Sequence, residues 1–241
     1  MCCRYFVLQE HLAEILGALG IAFDAAGLPS SRYNVTPGRA IPVIRRTGKI
    51  GRPEFIALHL GLQPVWAGPE RTSRPLVNAR AETLAARPAF RDAFRARRCL
   101  VPASGFYEWK VRGRTRLPWL FCRPAGRPFC LAGLWEARPA PDVTAMETCA
   151  VITTAPNALM APIHHRMPAI LASPAACRRW LDPRSAGGEL ADLLHSPQDD
   201  AFTARRVSAR VSNVRNDDPA CLAPTREEVA HGSGPLLFSL D

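Results

Sequence analysis

The alternation of apolar and polar residues along the chain predicts many short strands. Residues 3–8 form the first such segment, and residues 40–46 and 54–59 are typical of a hairpin whose strands are joined by a glycine-containing loop. Further strands are predicted over residues 99–103, 105–110, 118–123, 128–136, 147–154 and 204–209. The pattern therefore indicates an extensive β-sheet.

Helical spacing of apolar residues is confined to a few segments. It predicts a helix over residues 11–19 and two more over residues 174–181 and 188–194. The polar segment 78–83 predicts the start of another helix, which is interrupted at Pro88 and resumes to about Arg95. Helices are thus few and short beside the strands.

Composition restricts the class of protein. The 241 residues are 47% hydrophobic, enough for one large domain or two small ones, and no composition shift marks a linker before the last stretch. The chain has neither an apolar run of about 18 residues nor the pattern of a signal peptide, so we expect a cytoplasmic protein without a membrane partner. The 31 Lys and Arg against 21 Asp and Glu give a net charge of +10, mostly from arginine, which favours polyanionic partners such as nucleic acid.

The cysteines do not suggest a metal site. The chain has eight, but no CxxC pair and no His/Cys cluster at ligand spacing, so we expect no structural zinc or other metal. Four of them lie in apolar, strand-like runs and are predicted to be buried thiols: Cys99, Cys122, Cys130 and Cys149. No GxxxxGK or GxGxxG motif is present, which makes a nucleotide-using enzyme improbable, and we expect no cofactor.

Cys2 is the first candidate for chemistry. A small second residue favours removal of Met1, and Cys2 would then carry both the free α-amine and a thiol on the adjacent carbon. Such an aminothiol can form a Schiff base with an aldehyde and close to a five-membered thiazolidine ring. The alternative is that a cysteine at this position has no role.

Glu108 and the histidine pair are the next candidates. Glu108 lies in a predicted strand among three aromatic residues, and apolar surroundings disfavour the charged form of a carboxyl group, as a general acid or base requires. The alternative is an edge strand on which Glu108 points to solvent. His164 and His165 lie in a segment interpreted as extended, so only one of them is expected to face a given site. The alternative is a structural role for the pair.

Four other residues have two interpretations each. Asn34 can bind local backbone beside the turn at Pro37, and Trp66 is either a base-stacking wedge or a core residue. Asn78 and Arg80 can hold a phosphate, or act as a helix cap and a solvated cation.

Six sequence blocks, taken in their order, resemble the SRAP domain family, whose members process abasic sites in single-stranded DNA. The resemblance runs from Cys2 to about Pro224. Its carriers are Cys2 with Arg4, residues 33–37 (YNVTP), 78–83 (NARAET), 105–110 (GFYEWK), 164–168 (HHRMP) and 212–216 (SNVRN).

The resemblance implies a suicide crosslinker. Cys2, exposed by loss of Met1, would condense with the ring-opened aldehyde of an abasic site and form a thiazolidine DNA–protein crosslink, with lyase activity through the same Schiff base. By the family pattern Asn78 positions the reactive end, Glu108 shuttles protons and His164 assists Schiff-base formation. The residues implied to bind DNA are Arg4, Asn34, Arg80 and the wedge Trp66.

Three positions depart from the family pattern. Cys3 stands where members commonly have Gly, Leu60 where they have Trp, and His165 where the residue is often acidic. A second thiol at Cys3 could compete with Cys2 or oxidise. With Leu60 in place of Trp, Trp66 would carry the wedge alone.

Taken together, these observations predict an α+β fold: a single domain, residues 1–223, with a largely antiparallel, barrel-like β-sheet and flanking helices. Residues 224–241 are expected to form a loosely ordered tail. The expected partner is single-stranded DNA with abasic sites, bound by a monomer that is nucleoid-associated when on DNA. A thiol peptidase that removes its own Met1 and a non-covalent single-strand binder are the alternative functions.

Overall fold

The computed structural model describes residues 4–48, 51–66, 75–138, 146–185 and 187–225. Met1, Cys2, Cys3 and most of the predicted tail lie outside the described residues. The helices are α1 (Gln9–Leu19), α2 (Pro88–Ala96) and α3 (Pro174–Leu181). The strands are β1 (Arg4–Val7), β2 (Arg32–Val35), β3 (Ala40–Arg46), β4 (Pro53–Leu60), β5 (Asn78–Arg80), β6 (Arg98–Ala103), β7 (Gly105–Arg112), β8 (Thr115–Cys122), β9 (Phe129–Arg138), β10 (Met146–Thr154), β11 (Met167–Pro168), β12 (Ile170–Leu171) and β13 (Thr203–Arg206).

The strands form a closed barrel and an open sheet. The barrel order is β10-β4-β3-β6-β9, and it closes because β9 also pairs with β10. The open sheet has the order β13-β8-β7-β1-β2. Every pairing is antiparallel except those of β10 with β4 and with β5. The predicted barrel-like, largely antiparallel α+β fold is confirmed.

Burial on both faces explains the continuous apolar strands of the barrel. All six residues of β6 are buried, since its inner side chains enter the barrel core while α1, α2 and α3 pack near the same strand. The predicted hairpin is confirmed as β3 and β4, whose register runs from Ala40 opposite His59 to Arg46 opposite Pro53. Cys99, Cys122, Cys130 and Cys149 are buried, as predicted, and burial raises the pKa of the Cys122 and Cys149 thiols to about 12.

The open sheet separates two apolar cores. Successive side chains of a strand point to opposite faces, and Tyr5 and Phe106 accordingly belong to the main core, whereas Phe6 and Tyr107 belong to a smaller cluster on the other face. Gly105 lies opposite Phe6 in the β1–β7 register, and a Cβ there would be 2.5 Å from the Phe6 ring. Glycine therefore sets how closely β1 approaches β7.

Three predicted elements differ from the structure. Residues 78–80 form strand β5 rather than the start of a helix, because they pair in parallel with Val151–Thr153 of β10, and only a short 3₁₀ turn follows. The segment Gly187–Leu194 is a 3₁₀ helix, and β13 ends at Arg206, three residues before the predicted end. No helix within the described segments is long and apolar enough to cross a membrane.

Candidate active site

Glu108 is a buried carboxylate in the middle of β7. It lies on the same strand face as Phe106, since residues two apart share a face, and only 2% of its surface is exposed. Among the described residues its Oε1 atom is buried without a hydrogen-bond partner. The alternative of a solvent-facing edge residue is therefore wrong. A buried carboxylate oxygen without a donor is costly in a purely structural role.

His164 is the nearest titratable partner of Glu108. Its Nδ1 atom lies 3.8 Å from Glu108 Oε1, an ion-pair distance that is too long for a hydrogen bond. The same Nδ1 lies 2.9 Å from the Arg166 carbonyl oxygen and 3.2 Å from the Arg166 backbone nitrogen. It donates to the carbonyl when it carries a proton and accepts from the N–H when it does not. The loop therefore accommodates either tautomer of the ring.

Arg166 ties the histidine loop to the barrel. Its guanidinium donates to both carboxylate oxygens of Glu82, at 2.7 and 2.9 Å, and to the Thr153 carbonyl at 2.6 Å. The hydrogen bond from Arg166 holds the pKa of the Glu82 carboxyl below its usual range. The His164 backbone is thereby fixed relative to the end of β10.

The two histidine rings do not point to opposite sides. Their centroids are 4.5 Å apart, because the chain turns before His164 and bends at His165 instead of running extended. The prediction of an extended segment is wrong for this reason. They differ in exposure: the His164 side chain is 15% exposed, while His165 is open to solvent and the neighbouring His164 lowers its pKa.

Asn78 and Arg80 reach the same end of β10 from its other edge. In the parallel register Asn78 lies opposite Val151 and Arg80 opposite Thr153, the residue whose carbonyl binds Arg166. The Arg80 side chain is exposed and Asn78 is half-buried. Strand β5 and the histidine loop therefore flank one strand end, which brings a cation and an amide to the neighbourhood of His164.

Asn34 and Arg4 form a buried anchor beneath the start of β1. Asn34 is 2% exposed, and its Oδ1 accepts from Arg4 Nε at 3.0 Å and from Nη2 at 2.5 Å. Arg4 also donates to the Val211 carbonyl, and its guanidinium lies 5.2 Å from the Trp109 ring centroid. Both polar atoms of the Asn34 amide bind protein groups, which suits a residue that positions others; the contact of Asn34 with DNA stays a prediction.

A C-terminal segment that sequence reasoning did not assign completes this anchor. Asn34 Nδ2 donates to the carbonyls of Val211, Asn213 and Asn216. Asp217 accepts from the backbone N–H groups of Tyr33 and Asn34. The block at residues 212–216 contains two of these carbonyls, but Asp217, whose side chain binds the β2 backbone, lies one position beyond that block.

Trp66 and Cys2 are the two remaining predicted site residues. Trp66 is 61% exposed at the end of a described segment, so it is not a core residue. Cys2 lies outside the described residues.

Comparison with known proteins identifies the family. The model of the family described as SOS response associated peptidase (SRAP) matches residues 1–214. The chain belongs to the SRAP family. Among SRAP relatives, it is 36% identical over 220 residues to the "abasic site processing protein YoqW" of Bacillus subtilis, covering 90% of this chain and 97% of that protein.

More distant SRAP relatives match over most of this chain. The "abasic site processing protein YedK" of Escherichia coli is 30% identical, over 93% of this chain and 100% of that protein. The protein HMCES of Gallus gallus, of the same description, is 30% identical over 80% of this chain and 66% of its own. A crystal structure of a protein from Bacteroides thetaiotaomicron aligns with a TM-score of 0.72 at 28% identity, over 80% of this chain and 85% of that one.

Proposed function

We propose that this protein processes abasic sites in single-stranded DNA by forming a thiazolidine crosslink through Cys2 once Met1 has been removed. The observation that carries the proposal is the Glu108–His164 pair, a buried carboxylate 3.8 Å from an imidazole. SRAP relatives with 30–36% identity are named for abasic site processing. The arginine-rich charge of +10 suits a DNA substrate.

Chain connectivity supports a role for Glu108 at the reactive end. Arg4 lies opposite Tyr107 in the β1–β7 register, and Tyr107 precedes Glu108 in sequence. Two residues span at most about 7 Å, so Cys2 cannot lie far from Arg4. Asn34 and the Trp109 ring hold the Arg4 side chain, so the residue two positions after Cys2 is fixed on the strand that pairs with the strand of Glu108.

The proposed reaction balances with the loss of one water. The Cys2 amine attacks the aldehyde carbon of the ring-opened sugar, and the carbinolamine loses its hydroxyl as water to give an imine. The Cys2 thiolate then attacks the imine carbon, and the nitrogen takes up a proton as the ring closes. Glu108 accepts a proton from the amine and returns one to the departing hydroxyl, while His164 supplies the second acid–base group.

Four residues are assigned to the DNA: Arg80, Asn78, Trp66 and Arg4. Arg80 is exposed beside the end of β10 and is assigned to a phosphate, with Asn78 positioning the sugar. Trp66, 61% exposed, is assigned as the wedge against a neighbouring base. Arg4, which Asn34 holds at the start of β1, is also assigned to the DNA strand.

A denaturing gel tests the proposal. Wild-type protein mixed with a uracil-excised oligonucleotide should give a heat-stable, protease-sensitive shifted band, and Cys2→Ala should give none. Cys3→Ala is the matched control, because it removes the adjacent thiol and leaves the aminothiol intact, and it should crosslink like wild type. A full-strength band with Cys2→Ala, or no band with wild type and wholly salt-reversible binding, would reject the proposal in favour of a non-covalent binder.

Removal of Met1 by the protein itself is a second candidate activity, because the family is described as a peptidase. Cys2 would be the nucleophile, with Glu108 as its proton acceptor. Alanine, like cysteine, is small enough for ordinary removal of an initiator methionine. Intact mass of Cys2→Ala therefore separates the two routes: retained Met1 supports self-cleavage, and complete loss of Met1 excludes it.

A further inference from the structure

The turn that joins β7 to β8 projects a group of basic residues, which we call the basic hairpin (residues 110–116). Strand β7 ends at Arg112 and β8 starts at Thr115, so only Gly113 and Arg114 form the loop. Gly113 has φ +60°, a left-handed conformation suited to the first position of a two-residue hairpin turn. The side chains at its tip are exposed, and Val111 reaches 65%.

The basic hairpin carries cations without a carboxylate partner among the residues that the structure describes. Within the described ranges, no ion pair involves Lys110, Arg112, Arg114 or Arg116. Other exposed arginines do find such partners, at 2.5 to 2.7 Å: Arg179 with Asp192, Arg184 with Asp182, and Arg210 with Asp218. Four like charges in seven residues repel one another, and an external polyanion would relieve that repulsion.

Along β7, the cations of the basic hairpin lie at increasing distance from the buried Glu108 carboxylate. Glu108, Lys110 and Arg112 share one face of β7, at steps of about 6.8 Å. Arg116 lies opposite Val111 and therefore shares the other face with Trp109. Cations at successive steps, at the tip and on both faces do not converge on one point. This arrangement fits an extended polyanion better than a single small anion.

We propose that the basic hairpin binds the phosphate backbone of the DNA strand beside the reacting nucleotide, as a contact outside the catalytic pair. The inference rests on the proposed function for the class of polyanion. Arginine suits this role because its planar guanidinium donates two parallel hydrogen bonds to a phosphate. The loop is short and tightly turned, so the arginines are presented with little loss of backbone entropy.

Salt dependence of DNA binding tests the proposal. The variant Arg112→Gln/Arg114→Gln/Arg116→Gln is compared with wild type by fluorescence anisotropy on an intact single-stranded oligonucleotide. Loss of three phosphate contacts should lower the slope of log Kd against log salt by about 2. The ratio of the variant's Kd to the wild-type Kd should then fall about 20-fold between 50 and 200 mM salt.

A second variant removes the same charge elsewhere. Arg87, Arg91 and Arg95 are exposed at and along α2, which packs on β6 and β9, and their triple glutamine variant should keep the wild-type slope. An unchanged slope in the hairpin variant, or an equal change in the α2 variant, would overturn the proposal. Because the oligonucleotide has no abasic site, failure of crosslinking in the gel test would reject the proposed function without altering this result.

Discussion

Replacing Asn34 by leucine should destabilise the protein more than its single amide suggests. Leucine keeps the branching of the side chain but removes the hydrogen bonds that the Asn34 amide makes to Arg4 and to the C-terminal segment. Asn34 Nδ2 faces three carbonyls but has two hydrogens, so it contributes two full hydrogen bonds, about 2 kcal/mol in all.

The bond to Arg4 adds to this loss. A hydrogen bond from a charged donor contributes about 1.5–3 kcal/mol. Part of it is retained, because Arg4 still donates to Val211 and lies over the Trp109 ring. The total expected loss for Asn34→Leu is therefore about 3–4 kcal/mol in the free energy of unfolding.

Urea unfolding followed by circular dichroism measures this loss. The control is Asn213→Ala, since Asn213 is exposed and its side chain only accepts from the Arg215 backbone N–H. It should cost less than about 1 kcal/mol. A loss below about 1 kcal/mol for Asn34→Leu, or equal losses in the two variants, would refute the idea that Asn34 is the buried anchor.

Three further results are expected. Gly105→Ala should prevent stable folding, because its Cβ would lie 2.8 Å from the Phe121 carbonyl oxygen, and a wild-type melting temperature would contradict this. Glu108→Gln should slow adduct formation about 10²- to 10⁴-fold with unchanged affinity for intact DNA; an unchanged rate would remove Glu108 from the reaction. Burial beside Ser104 lowers the pKa of His11, so the folded state favours the neutral ring. The stability that this preference gives the fold is fully present above about pH 6.5 and is lost as the pH falls through the pKa of His11 in the folded state. His11→Gln should flatten this decline in urea unfolding between pH 7 and 5, and an equally steep decline would count against it.

Much of the fold follows from local sequence pattern. The β3–β4 hairpin and α3 were predictable because each repeats apolar residues at the period of its own element, with proline or glycine at its ends. Residues 78–80 were not, because their strand is created by parallel pairing with β10, about 70 positions later in sequence. A helix-like composition was overridden by a partner that local pattern cannot reveal.

The candidate site was likewise only partly predictable from the sequence. Residue type selected Glu108 and His164, but whether Glu108 is buried depends on which face of β7 covers the barrel, and this is set by the neighbours of Phe106 in space. The partners of Asn34 could not be predicted either, since Asp217 and Val211 come from the far end of the chain. Sequence therefore identified candidate chemical groups, and the packing shows which of them are buried and which lie close together.

Intact mass of the product under denaturing conditions tests the central claim most directly. After incubation with an abasic oligonucleotide, the adduct should weigh as much as the protein lacking Met1 plus the DNA, less one water. Borohydride should leave that mass unchanged, because a closed thiazolidine has no imine to reduce. A product that still contains Met1, or one that gains two hydrogens on reduction, would contradict ring closure at Cys2.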